Sequence, residues 1–226
     1  MEMTQQRWAA FSEYLEEVFG REDEALSRLR SRARDASLPE ISVGQAVGRL
    51  LSLLASMTNG GRGARLALEL GTLGGYSGIW IARVLAPGGR LITVESEPRH
   101  AAFARESFET AGVSDRVEIR AGRALEVIRE LGRQTPAPMF DFVFVDAEKT
   151  EYPAYFDRIR PMMAPGGLFV ADNILGGGDW TLDQPRGSSP ARDAVDALNR
   201  AVAAAPDFEA AAVPLREGLL IARKKG

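Results

Sequence analysis

The chain has 226 residues, no cysteine and one histidine, His100. The first absence excludes a disulfide scaffold, a thiolate metal site and a cysteine nucleophile. It also fits a reducing cytoplasm. A single histidine leaves too little material for a His-based zinc site or a Ser-His-Asp triad. Excess positive charge is missing too. Lys and Arg number 28 against 31 Asp and Glu, a net charge of −3. No global basic field is available to draw in nucleic acid. Nor is there a long uninterrupted apolar run at the start. MEMTQQRWAAFSEYLEEVF carries acids through its apolar stretch, so it reads as neither a signal peptide nor a membrane span. What remains is 45% hydrophobic and 26% charged, the balance of a soluble globular protein with a sizeable core. One domain over 1–226 is expected, with a helical cap over 1–58 and a core over 64–226.

Trp8, Phe11, Leu15, Val18 and Phe19 recur at helical spacing. They would cover the rest of the fold or supply an interface. A second helix is expected over Glu22–Ala36, ended by Pro39. It carries Arg21, Arg28, Arg30, Arg32 and Arg34, which is either a solvated face or an anchor for an anionic tail or a tRNA backbone. A third helix is expected over Val43–Met57, and then NGGRG (Asn59–Gly63) forms a loop. From Arg65 the pattern becomes strand–helix alternation. Strands are expected at Leu66–Leu70, Arg90–Glu95, Val117–Ala121, Phe140–Asp146 and Leu168–Asp172. Helices fall at Ser77–Leu85, Pro98–Ala111, Ala124–Leu131 and Tyr152–Met163. Two PGG repeats, Pro87–Gly89 and Pro165–Gly167, are expected to end helices just before strands. A last helix at Ala191–Ala204 precedes two short runs, Glu209–Pro214 and Gly218–Arg223, read as an antiparallel pair. Alternating βα units imply an α/β fold, a parallel doubly wound sheet. The glycine- and proline-bearing stretch Gly176–Pro190 has the length of a lid or binding loop.

Two strands run straight into oxygen donors: FDFVFVDAEK (Phe140–Lys149) and GLFVADN (Gly167–Asn173). Ligands of open α/β sheets bind beyond the carboxyl ends of strands. Asp146, Asp172 and Asn173 offer oxygen with no sulfur or imidazole, which selects a hard cation, Mg²⁺ with Ca²⁺ or Mn²⁺ as alternatives. Asp172 and Asn173 also suit plain turn capping. Lys149 stands nearby as an amine base. The first strand enters LELGTLGGYSG, whose Gly71, Gly74 and Gly75 permit a sharp turn. Leu73 occupies the place of the second glycine of GxGxxG, which weighs against a dinucleotide. Glu95 ends the second strand, where an acid accepts from both ribose hydroxyls of NAD or of S-adenosylmethionine. AGRA (Ala121–Ala124) follows the third strand and would border an adenine.

In this order LELGTLGGYS, TVES, FVFVDAEK and FVADN resemble the cation-dependent class I O-methyltransferases, among them the caffeoyl-CoA and catechol types and their bacterial relatives. The resemblance runs from about Ile41 to the C-terminus. It implies a Rossmann-like, mostly parallel seven-stranded sheet with a C-terminal antiparallel strand, plus N-terminal helices, in an enzyme that is usually a homodimer. It implies that Val43 contacts the donor near its methionine end and that Glu69, Gly71, Thr72 and Ser77 hold the amino-acid part of S-adenosylmethionine, with Gly75 also binding the donor. Glu95 would bind ribose and Ala124 would lie near adenine. Asp146 would serve donor and metal, with Asp172 and Asn173 completing the metal ligands. Lys149 matches the catalytic lysine. Two adjacent substrate oxygens would chelate the cation, which acidifies the hydroxyl to be methylated. Lys149 would take its proton, and a cation next to an amine favours the neutral form. The acceptor is then a vicinal diol on a small aromatic, methylated from S-adenosylmethionine to leave S-adenosylhomocysteine.

This chain also departs from the family pattern. Relatives commonly follow the Asp-Asn pair with an aromatic residue and Ser-Gly, where this chain reads ILGGGDW. Trp180 would replace the aromatic wall or pack in the lid. The animal catechol type has an acid gripping the second hydroxyl at a place that corresponds here to Leu220. Tyr76 is read as packing, and His100 as a helix-start residue outside the chemistry. The rival readings are a tRNA wobble 5-hydroxyuridine O-methyltransferase, an NAD-dependent oxidoreductase, and a binding protein without turnover.

Overall fold

The computed structural model of the chain describes residues 4–176 and 189–226. Three helices come first: α1 (Gln5–Phe19), α2 (Glu24–Asp35) and α3 (Gln45–Gly61). Then β1 (Leu66–Leu70), α4 (Tyr76–Ala82), β2 (Arg90–Glu95), α5 (Pro98–Thr110), β3 (Val117–Ala121), α6 (Ala124–Gly132), β4 (Phe140–Val145), α7 (Tyr152–Ile159) and β5 (Met163–Asp172) alternate. Helix α8 (Pro190–Ala203) and strands β6 (Phe208–Val213) and β7 (Leu219–Lys224) complete the chain. The sheet has seven strands in the order β3-β2-β1-β4-β5-β7-β6. All neighbours are parallel except β7, which runs antiparallel to β5 and β6. The expected doubly wound sheet and its antiparallel C-terminal pair are both present. No helix among the described residues is long and apolar enough to cross a membrane.

Apolar side chains cover both faces, so the central strands read as continuous hydrophobic runs. Phe142, Phe144 and Val170 pack under α2, α3, α4 and α5, with Leu26, Leu29, Val47 and Leu51. Val143, Val145 and Phe169 pack under α6, α7 and α8, with Ile128, Phe156 and Leu198. Helix α1 is different. It packs along α3 and leaves its apolar residues outside, with Trp8 57% and Phe19 63% exposed. It does not cover the sheet.

Two local expectations need correction. Pro165–Gly167 does not end a helix. It lies inside β5, where the pairing with β4 shifts register between Phe140 and Phe142. The preceding helix has already closed at Met162, through a short tight turn of helix. Helix α3 keeps helical hydrogen bonding to Gly61, but Thr58, Asn59 and Gly60 have non-helical dihedrals, so the expected loop begins one residue early.

The crossover from β1 to α4 is set by backbone contact. Gly71 has φ +92, and a Cβ there would lie 2.1 Å from the carbonyl oxygen of Asp146. The Asp146 N–H donates to Leu70 O at 2.9 Å, and the Gly71 N–H to Val94 O at 3.0 Å. The ends of three strands are thereby held together. Just below, Glu69 pairs in register with Thr93 of β2 and is fully buried. Thr93 Oγ1 donates to Glu69 Oε2 at 2.6 Å, while Oε1 has no hydrogen-bond partner. Burial raises this carboxyl to a pKa of about 7. The hydroxyls of Thr93 and Ser77 oppose the shift, and the charges of Asp146 and Glu95 add to it.

Two consequences are testable by chemical denaturation. Gly71→Ala combines a left-handed dihedral with backbone overlap and should cost on the order of 2–4 kcal/mol or prevent folding. Gly60→Ala, at φ +67 with no atom within 4 Å of an added Cβ, should cost only about 1 kcal/mol. Equal losses would contradict this account of Gly71. For Glu69, both states are protonated well below pH 4.5. Between there and about pH 7 the unfolded chain ionises while the fold retains the proton, so stability owed to this group is lost as pH rises through that window. Melting of the ligand-free protein should therefore show a smaller decline from pH 5 to 8 in Glu69→Gln than in the parent. A parallel decline would show that Glu69 ionises freely in the fold.

Candidate functional site

At the carboxyl edge of the sheet lies a cavity of about 820 Å³. The structure brings Val43, Gly71, Thr72, Ser77, Glu95, Ala124, Asp146, Lys149 and Asn173 to its wall, nine residues singled out in the sequence from six separate segments. Glu69, Gly75 and Asp172 stand behind the wall. Glu69, expected to hold the amino-acid part of a donor, does not line the cavity and connects to it through hydroxyls, among them that of Ser77. Its Oε2 accepts from Thr93, whose hydroxyl lies 2.6 Å from that of Thr72. Gly75 supports the turn instead of touching the cavity, and packs against Phe108 of α5.

One end of the cavity is built around Glu95. Its Oε2 accepts the Leu73 N–H at 2.8 Å and its Oε1 the Glu97 N–H at 2.9 Å. An ionised carboxylate has about four acceptor positions, so the two backbone bonds orient the group and leave capacity on the cavity side. Leu73 explains its own oddity. It sits at φ +48, a left-handed dihedral rare for a side chain of its size. The bond to Glu95 holds it there, so a non-glycine residue makes the turn that a glycine makes in GxGxxG. His100 Nδ1 lies 3.8 Å from Glu95 Oε1 at the start of α5, and it too lines the cavity. Gly122, Arg123 and Ala124 form the far side. There Glu151 accepts from Arg123 at 2.6 Å and from the Tyr155 hydroxyl at 2.8 Å.

The opposite end carries the acids. Lys149 Nζ donates to Asp146 Oδ1 at 2.7 Å, a pair three residues apart across the turn that follows β4. The Lys149 amine also lies 5.1 Å from the Tyr152 ring. Tyr152 is buried, and its hydroxyl bridges the carbonyls of Val145 at 3.3 Å and Asp172 at 3.2 Å. It ties the ends of β4 and β5 together, a role sequence reading missed because a tyrosine at a helix start reads as core. Asp172 Oδ1 accepts the N–H of Asn173 at 2.8 Å, while Oδ2 is sealed from solvent without a partner. Burial and the charge of Asp146 push the Asp172 carboxyl up to about 6, against the Asn173 N–H, Arg216 and Lys149. Asn173 takes φ +58, which asparagine tolerates better than most residues. Among the described residues no cluster of three or more His, Cys, Asp or Glu is placed to hold a metal ion. The set here is two carboxylates and an amide. An orphaned, buried carboxylate oxygen beside a second carboxylate fits a hard divalent cation.

Several expectations resolve differently. Leu220 is not at the wall; it pairs with Ala171 inside the sheet and is buried in the core. The wall instead receives Arg216 and Glu217 from the turn before β7. Because β7 is antiparallel, its start lies at the same edge as the end of β5, and the charged pair RE before GLL was the available signal. Tyr76 packs as expected, donating to Glu22 with the Arg30 guanidinium 4.6 Å from its ring centre. Four of the five arginines of the expected stripe have acidic partners: Arg28 pairs with Glu24, Arg30 with Glu22, Arg32 with Glu106 and Arg34 with Glu40. Trp180 lies outside the described residues.

A family model described as O-methyltransferase matches residues 16–225. A catechol O-methyltransferase of Niastella koreensis is 40% identical over 173 residues, 76% of each chain. One from Mycobacterium tuberculosis is 39% identical over 165 residues, 73% of this chain and 71% of its own. An O-methyltransferase from Bacillus cereus in complex with SAH superposes with a TM-score of 0.87 at 33% identity, covering 97% of this chain and 99% of that one. The O-methyltransferase TomG from Streptomyces achromogenes, solved with SAM, gives 0.85 at 36% identity over the whole of both chains. The glycine turn with its buried acids and the match across nearly the whole chain agree: this chain belongs to the O-methyltransferase family and is an S-adenosylmethionine-dependent O-methyltransferase.

Proposed function

We propose that this enzyme methylates one hydroxyl of a vicinal diol on a small aromatic acceptor, and that it does so with a divalent cation, Mg²⁺ first among candidates, held by Asp146, Asp172 and Asn173. The observation that carries the reading is the sealed, partnerless Oδ2 of Asp172 beside Asp146 and Asn173. A carboxylate oxygen buried without a donor is costly, and a hard cation removes the cost. The cation would supply Lewis acidity that makes the chelated hydroxyls easier to deprotonate.

The chain's own residues do the rest. Glu95, oriented by two backbone N–H groups, accepts the ribose hydroxyls. Ala124 borders the adenine, and Val43, Gly71, Thr72 and Ser77 surround the methionine part, with Glu69 and Gly75 supporting them from behind. Lys149 sits one turn after Asp146 and removes the proton from the hydroxyl that attacks the methyl group. Positioning and exclusion of water account for most of the remaining acceleration, since the attacking oxygen and the sulfonium neutralise each other. Four of the five arginines in the stripe have acidic partners, which weakens the case for tRNA as the acceptor.

We also infer a homodimer built on α1. Its exposed Trp8, Phe11, Tyr14, Leu15, Val18 and Phe19, with Leu53 and Met57 of α3, support an interface there. A cap over 1–58 and a core over 64–226 then make one domain, since α2 and α3 share their buried residues with the sheet. The absence of cysteine supports a cytoplasmic location.

Three outcomes are expected. Lys149→Met should lower kcat on every accepted diol by about 10²–10⁴-fold, with calorimetric donor affinity within about threefold; undiminished methylation would sink the assignment. Chelator should abolish turnover and added Mg²⁺ restore it, and Asp172→Asn should no longer respond to the cation. Full activity in chelator would remove the metal from the proposal. Light scattering should give about twice the 24.5 kDa chain mass, and Trp8→Glu with Phe19→Glu should give a single chain; a monomeric parent would refute the dimer.

A further inference from the structure

Four cationic or potentially cationic side chains line the cavity: His100, Arg123, Lys149 and Arg216. Three have acidic neighbours. Arg123 pairs with Glu151 at 2.6 Å, Lys149 with Asp146 at 2.7 Å, and His100 faces Glu95 at 3.8 Å. Arg216 makes no ion pair or hydrogen bond through its guanidinium among the described residues. It is nevertheless held in place. Its turn is pinned by Gly218 N–H to Leu215 O at 2.9 Å, Ile174 N–H to Gly218 O at 3.2 Å and Leu175 N–H to Glu217 O at 2.9 Å. The last two bonds tie it to the segment just after Asp172 and Asn173. Arg216 itself sits at φ +53, a dihedral that is strained for a side-chain-bearing residue. Its guanidinium is thus held at the cavity wall without an ion-pair partner among the described residues.

Its surroundings place it at the acceptor end. The Arg216 charge is among the groups acting on the carboxyl of Asp172, where it opposes burial and Asp146. A Cβ at Gly44 would lie 3.7 Å from Arg216 Cδ, so the stem runs past the N-terminus of α3, next to Val43. Ile41, 68% exposed, and Val43 add apolar wall to the same cavity. A diol bound through the proposed cation at Asp146, Asp172 and Asn173 would share the cavity with the aliphatic side chains of Ile41 and Val43 and with the Arg216 guanidinium. We propose that Arg216 determines acceptor specificity by binding a carboxylate carried on the diol, so that the enzyme prefers anionic catechols to neutral or cationic ones. The planar guanidinium can hold a carboxylate through two parallel hydrogen bonds. The inference rests on the diol reading above. Its rival is Glu217, the adjacent wall residue, which would favour an ammonium substituent.

The test is a comparison of kcat/KM for catechol, 3,4-dihydroxybenzoate and 3,4-dihydroxyphenylethylamine. The parent enzyme should favour the benzoate over the amine. Arg216→Gln should lower the benzoate-to-catechol ratio about tenfold, chiefly through KM. Arg216→Lys should retain most of the preference, Arg216→Glu should reverse the benzoate–amine order, and Glu217→Gln should leave that order in place. If the parent methylates catechol but shows no benzoate preference, or if Arg216→Gln and Arg216→Glu leave the ratios unchanged, Arg216 is not the selector and the diol reading stands. A parent preference for the amine that Glu217→Gln abolishes would assign selection to Glu217 instead. No methylation of any diol would overturn both.

Discussion

The close approach of Gly71 to the backbone of Asp146 is the constraint on which the rest of the site depends. No side chain fits between the end of β1 and the end of β4, since a Cβ would meet the Asp146 carbonyl oxygen at 2.1 Å. That contact fixes the height of the glycine turn relative to the two acid-bearing strands. It sets Thr72 and Ser77 on one wall of the cavity and Asp146 and Lys149 on another. Tyr152 performs the corresponding task one strand further on, bridging the ends of β4 and β5 through two carbonyls. The two ends of the cavity are therefore joined by backbone, which tolerates little drift.

Charge is the second organising principle. Glu69, Glu95, Asp146 and Asp172 converge below one cavity. Their mutual repulsion and burial raise the pKa of Glu69 to about 7 and that of Asp172 to about 6. Such a cluster favours a cation beside it, and a sulfonium and a divalent metal are both cations. The few cations of the chain placed nearby are mostly matched, with Lys149 held on Asp146 and Arg123 on Glu151. Among the described residues Arg216 is the exception, and it stands at the cavity wall.

Much of the fold was legible in the sequence because its signals are local. Strands β1, β2 and β3 begin and end where their apolar runs predict, since Gly, Pro or acidic residues punctuate them sharply. Pro165–Gly167 misled because a PGG triplet normally closes a helix, and here the partner strand absorbs it as an irregularity. Leu73 is more instructive. As a non-glycine it weighed rightly against a dinucleotide, and it still makes the turn at a positive φ, its N–H held by a distant carboxylate, Glu95. Local propensity cannot register a bond made across 22 residues of chain.

What the sequence by itself determined is the chemistry: oxygen donors without sulfur or imidazole, an acid at the end of β2, an amine one turn after Asp146. These follow from residue types and from strand ends whose position along the chain is set by hydrophobic periodicity. Only the tertiary structure decided which groups stand at the cavity wall and which behind it. Glu69 and Asp172 proved to be buried carboxylates, and Leu220 a core residue. Arg216 and Glu217 reached the cavity wall because an antiparallel β7 starts where β5 ends. The direction of that last strand depends on sheet pairing between segments far apart in the chain, so no local pattern contains it.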